Sequence, residues 1–135
     1  GVFGSNEVED APSNGNGVFF HNSDISFASI VDGLSNTMIV GERSARLNPR
    51  TATLAYSTWV GVIHGGEEAM ARVVGSADHP PNFIGGHFED FRSEHPAGAQ
   101  IAMADGSVQM IIDSIDERIY QALATRDGGE AVQIP

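Results

Sequence analysis

The sequence predicts a single α+β domain: an antiparallel β-sheet with short helices, ending in a β-hairpin followed by a helix. Three observations carry this expectation. Asp105-Gly106 stands between two alternating apolar runs, residues 99–104 and 107–113, which is among the strongest short-range hairpin signals. Ser114 lies three residues before Glu117, the spacing of a capping box, and Ile115, Ile119 and Leu123 follow at helical intervals with Tyr120 beside them. Upstream, short β-branched and aromatic runs alternate with Gly, Asn and Pro, a pattern of strands rather than of long helices.

Taken in order, residues 1–17 are rich in Gly, Ser, Asn, Asp, Glu and Pro. Such a segment buries too little apolar surface to offset its ordering entropy, so it reads as a loop or flexible tail, with residues 18–135 forming the globular domain. Val18-Phe19-Phe20 reads as a strand. Phe27, Ile30 and Val31 fit one or two helical turns, stopped by Gly33. After Asn36, the run from Thr37 to Arg43 is apolar and β-branched and reads as a strand closed by Glu42 and Arg43. Residues 45–53 read as a loop. Tyr56 to Ile63 reads as another strand, with Trp59 as its core anchor because an indole buries a large apolar area. A short strand fits near Arg72 to Gly75, and His79-Pro80-Pro81-Asn82 then breaks regular structure.

With a two-residue turn at Asp105-Gly106, Ala104 faces Ser107 and Ile101 faces Met110. That register puts Ile101, Met103, Val108, Met110 and Ile112 on one face, expected to be buried. Asp113, Asp116 and Glu117 suit the positive start of the following helix and Arg126 its negative end. Gly128-Gly129 stops it, and residues 131–134 read as an edge strand.

Composition narrows the function. The 135 residues include no Cys and no Lys, and seven Arg against eighteen carboxylates give a formal charge of −11. A 41% apolar content is enough for one core. Disulfides and thiolate metal sites are excluded. Nucleic-acid binding is excluded too, because phosphate contacts need clustered cations. No apolar run approaches the ~20 residues of a membrane span. The chain begins at Gly1 rather than Met, so a targeting or anchoring segment is expected to have been removed. The all-Arg cation set fits either compositional drift or an acidic surface kept soluble in an ionic medium.

Candidate chemistry concentrates between residues 78 and 95. Asp78, His79, His87, Glu89 and His95, with Asp90 and Glu94 among them, are the donor types of a zinc or other divalent-metal site. Two readings stand: a metal site, with Ca²⁺ through carboxylates and carbonyls as a variant, and a solvated polar loop. No helix-borne HExxH and no EF-hand loop is present. A hydrolase is not expected, since neither GxSxG nor Cys occurs, and the Gly pairs lack phosphate-loop context. Asp105 reads as a turn former rather than a catalytic acid. His95 and Asp105 lie at opposite ends of one strand, ~25–30 Å apart at about 3.3 Å per residue, and do not share a site. The returning strand is expected to bring His95 beside Asp113 or Asp116 as a latch.

The segment HPAGAQIAMADGSVQMI, with nine residues between His95 and Asp105-Gly106, resembles the C-terminal signature of bacterial prepilin-type proteins with an H-x9-DG motif, the family of domain of unknown function 1559. GVFFHNSDISFASIVDGLSNTMIVGERS, STWVGVI and YQALATRDGGE resemble the same family in the same order. Ala97 stands where the family usually has Gly. The resemblance implies a type IV pilin or pseudopilin-like head lacking its long N-terminal helix and the segment that often carries Cys. His95, Asp105, Gly106, Trp59, Gly33, Asn36 and Glu42 are then fold-determining motif residues, with no catalytic role to transfer. It further implies a non-enzymatic structural subunit at the cell surface or in the periplasm, anchored in the cytoplasmic membrane only through the missing helix. Its partners would be other pilin-like subunits or copies of itself, with no cofactor required. The alternative it leaves is an extracellular module that binds a divalent ion or a small solute. Without the helix, one apolar face of the sheet must be exposed, capped by local helices or buried between copies.

Overall fold

A computed structural model describes residues 1–8, 10–48, 53–54, 56–58, 61–62, 64–65, 68–130, 132 and 134. Trp59 lies outside them. The fold is α+β. Strands β1 (Val2–Gly4), β2 (Met38–Gly41), β3 (Arg46–Asn48), β4 (Thr53–Leu54), β5 (Gly75–Ser76), β6 (Gly98–Met103) and β7 (Val108–Ile112) precede helix α1 (Glu117–Ala124). Two single 3₁₀ turns, Phe27–Ser29 and Leu34–Asn36, sit between β1 and β2. The main sheet is antiparallel in the order β2-β6-β7, while β1 pairs with β5 in parallel and β3 with β4 antiparallel. Among the described residues no helix is long and apolar enough to cross a membrane.

The first 17 residues are not a tail. Val2 and Phe3 are fully buried, and because successive strand residues point to opposite sides, they feed two different clusters. Val2 joins Met38, Phe91, Ile101, Met103, Ile111, Tyr120 and Leu123. Phe3 joins Val8, Ala71 and Val74. Val18–Phe20 forms no strand of its own; the Val18 and Phe19 amides donate to the Val2 carbonyl at 3.2 and 3.0 Å. Residues 45–53, expected as a loop, contribute β3 and the first residue of β4. Of the strand expected over 56–63, residues 56–58, 61 and 62 carry no strand pairing. Val132 and Ile134 pack on the main core.

The hairpin forms where Asp105-Gly106 predicts it, but in a different register. Ala102 pairs with Val108, Gln100 with Met110 and Gly98 with Ile112. The Met103 amide donates to Ser107 O and the Gly106 amide to Met103 O, both at 2.9 Å, so Ala104-Asp105-Gly106 is a three-residue loop. Gly106 takes the left-handed position at φ 87°. Asp105 keeps a negative φ, and its Oδ1 accepts the Ser107 amide at 2.8 Å. A two-residue type I′ turn needs positive φ at both central residues. Here only the glycine supplies it.

A one-residue slip in pairing sends every side chain of β7 to the other face. Ile111 therefore joins Ala99, Ile101 and Met103 in the core, fully buried. Val108, Met110 and Ile112, expected inside, are 63%, 41% and 42% exposed, and Val40 on β2 is 48% exposed on the same side. The helix that covers the inner face is capped by Asp116 rather than Ser114: Asp116 Oδ1 accepts the Arg118 and Ile119 amides at 2.9 and 3.4 Å. It buries Tyr120 and Leu123 and ends at Ala124, before the expected Gly128-Gly129 stop.

Candidate functional site

The residues singled out from sequence fall into three groups in space. Gly33, Asn36, Asp105 and Gly106 meet at one end of the main sheet. Gly33, at φ 100°, opens the second 3₁₀ turn, and its carbonyl accepts the Asn36 amide and the Thr37 hydroxyl. Leu34 O and Thr37 O then accept the amides of Asp105 and Ala104 at 3.0 and 2.8 Å, fastening that turn to the hairpin loop. Asp32, which sequence reasoning passed over, does related work. Its carboxylate accepts the Gly128 and Gly129 amides at 2.8 Å each, tying the chain after α1 to the same region. The only signal for it was an Asp-Gly pair at a turn.

Glu42 and His95 meet at the opposite end of the sheet. Glu42 Oε2 accepts the Gln100 amide at 2.8 Å, and Oε1 lies 3.5 Å from His95 Nε2. Burial works against ionisation of Glu42. Hydrogen bonds from Gln100, Ser93 and His95 outweigh it and hold the carboxyl below its ordinary value. His95 thus latches to β2 rather than to Asp113 or Asp116. Glu94 is nearby but bonds the Ser44 hydroxyl at 2.8 Å.

The third group is the chemically dense one. Asp78, His79, His87 and Asp90 each bring a donor atom within 4.8 Å of the other three. Asp78 and His79 follow β5; His87 and Asp90 lie on the loop before β6. His87 Nδ1 is 2.8 Å from Asp78 Oδ2, while His79 Nδ1 is 3.2 Å from Asp78 Oδ2 and 3.3 Å from Asp90 Oδ2. Glu7, at the exposed rim, brings Oε1 to 3.3 Å from His87 Nδ1. Glu89 is buried next door, outside this cluster, and its carbonyl accepts from Arg43.

Local structure builds the cluster. The Asp90 side chain turns back to accept the His87 amide at 2.7 Å, and Arg92 donates to His87 O at 2.7 Å. Gly86 suits this closure, since a Cβ there would collide with Asp90 Oδ2. The His79 ring stacks on Phe83 at 4.6 Å and meets His87 edge-on at 4.9 Å. From α1, Gln121 Nε2 donates to Asp78 O at 2.9 Å.

The electrostatics follow from burial and mutual contact. Burial, then hydrogen bonding to and the charge of Asp78, pushes Asp90 up to about 8. Burial opposes ionisation of Asp78 as well, but the hydrogen bond with Asp90 and the two histidines bring it below its usual value. Two carboxyls in contact cannot both ionise cheaply, so one keeps a proton. Burial, and then the charges of Asp90 and Asp78, raises the Tyr120 phenol as well.

A family model described as protein of unknown function (DUF1559) matches residues 1–118. The chain belongs to that family. No curated protein and no solved structure matches it.

Proposed function

We propose that this domain is the non-enzymatic head of a prepilin-type, pseudopilin-like protein, working in assembly of a surface fibre or secretion apparatus. The observation that supports it best is the bare outer face of the main sheet. Val40, Ala102, Val108, Met110 and Ile112 line one side of three adjacent strands, and the four large ones are between 41% and 63% exposed. A contiguous apolar sheet face is unfavourable in water and marks a packing surface. A long apolar helix preceding the domain is the occupant such a head would have. Gly1 shares a hollow with Val40 and Gly41 at the β2 edge of this sheet. The motif residues act in the same sense, since Gly33, Asn36, Glu42, His95, Asp105 and Gly106 all fasten the two ends of this sheet. Anchoring in the cytoplasmic membrane, exposure outside it and contacts with like subunits belong to the same reading.

The domain has no cysteine, so Met110→Cys introduces a single thiol into it. That thiol should react quickly with a maleimide in the isolated domain and slowly in the full-length, membrane-inserted protein. A Val31→Cys control, at an exposed position outside the strands, should react equally in both. Equal reactivity of the Met110 position in both forms contradicts the reading.

A further inference from the structure

We propose that Asp78, His79, His87 and Asp90 form a binding site for a divalent transition-metal ion of the zinc class. This stands apart from the head-domain reading: it concerns the loops beyond β5 and before β6, not the open face of the sheet.

The donor spacing is the first support. Bonds of ~2.0–2.1 Å to a tetrahedral zinc place neighbouring ligand atoms about 3.3 Å apart. His79 Nδ1 is 3.2 and 3.3 Å from the oxygens of Asp78 and Asp90, and His87 Nδ1 is 2.8 Å from Asp78 Oδ2. Three donor pairs thus lie at or below the edge length of a coordination tetrahedron, and all four donors lie within 4.8 Å of one another.

The second support is unmet polar capacity. The Asp90 side chain is only 1% exposed, yet among the described residues neither its Oδ1 nor Asp78 Oδ1 has a hydrogen-bond partner. His79 Nδ1 lies within ion-pair distance of two carboxylates but is aligned for a hydrogen bond with neither. Buried polar atoms are ordinarily satisfied. Here three of them belong to side chains of one donor cluster. The nearest guanidinium, Arg92, stops 3.9 Å from Asp90 Oδ2 and spends its hydrogen bond on His87 O. A cation held between the four side chains would give His79 and both carboxylates the partner they lack.

The surroundings hold the donors as outer-shell groups hold metal ligands. Phe83 fixes the His79 ring, the His87 amide fixes Asp90, and Gln121 fixes the Asp78 backbone. The donor set selects the ion. Two imidazoles and two carboxylates suit zinc and its neighbours, whereas Ca²⁺ takes six to eight oxygens. Glu7 at the rim can add a carboxylate or shield the entry.

Isothermal titration of untagged, chelator-stripped protein with Zn²⁺ tests the site. The expected result is saturable binding of one equivalent, a raised melting temperature and no comparable binding of Ca²⁺. His87→Ala, at a partly exposed position, should lower the Zn²⁺ affinity at least about tenfold, while His95→Ala should leave it unchanged. Co²⁺ added to the unaltered protein should give the visible absorption of a four-coordinate nitrogen–oxygen site, a readout that needs no variant to fold. Absence of one-equivalent Zn²⁺ binding, equal affinity in His87→Ala, or Ca²⁺ binding as tight as Zn²⁺ would overturn the proposal.

Discussion

The two faces of the β2-β6-β7 sheet are both apolar, yet they meet different surroundings. The inner face, Met38, Ile101, Met103 and Ile111, is fully buried and covered by β1 and α1 through Val2, Tyr120 and Leu123. The outer face, Val40, Val108, Met110 and Ile112, is open. The difference shows that alternation alone cannot name the core side of a strand. β7 reads Val-Gln-Met-Ile-Ile, apolar at both parities, so the turn sets the register, and the register decides which residues go in.

Substitutions can break or sharpen this contrast. The largest effect is expected at Ile111→Ala, which removes a fully buried side chain facing α1 and should cost about 3 kcal/mol in urea unfolding. If it costs no more than a surface change, the inner face has been misassigned.

A pH slope carried by Asp90 comes next, whose charge also reaches Tyr120 of the inner layer. Asp90 titrates near pH 8 in the folded protein, against an ordinary 3.8. Between those values the native state holds a proton that the unfolded chain has released, so Asp90 lowers stability as pH rises from about 4 to about 8. Asp78, shifted down, acts in the opposite sense and only around and below its ordinary range. In chelating buffer the melting temperature should therefore fall across that window, and Asp90→Asn should flatten the fall. A flat profile in the unaltered protein contradicts the buried, proton-sharing pair.

Gly106→Ala has a smaller effect. There is open space around the Cβ that would be added, so the cost is the left-handed backbone alone, about 1 kcal/mol. The smallest effect is expected on the outer face, where Met110→Ala should change the stability of the isolated domain by less than about 0.5 kcal/mol. A loss as large as that at Ile111 would mean that the face is covered.

Much of this was legible in the sequence, and the misses have physical causes. The fold class, β2, the hairpin and the final helix follow from local signals: β-branched runs, Asp-Gly and helical spacing. The hairpin register does not, because Asp-Gly serves a two-residue loop and equally a three-residue loop with glycine in the left-handed position. β1 was hidden because three residues in a polar segment carry no periodicity; their burial comes from pairing with β5, more than 70 residues away. The metal-type donors Asp78, His79 and His87 could be named from residue type. Their closure with Asp90 depends on a loop that folds back at Gly86. His95 finds Glu42 rather than Asp113 because the partner is chosen by β2 lying beside β6, a non-local event.

Since the bare face rests on the register of β6 and β7, the most direct measurement is the set of interstrand α-proton contacts seen by NMR. In an antiparallel pair, residues that do not exchange hydrogen bonds bring their α-protons closest. Strong cross-peaks between Gln100 and Met110 and between Ala102 and Val108 are expected from the three-residue loop. A cross-peak between Ile101 and Met110 instead would mean a two-residue loop, with Val108, Met110 and Ile112 turned into the core and no open face to explain.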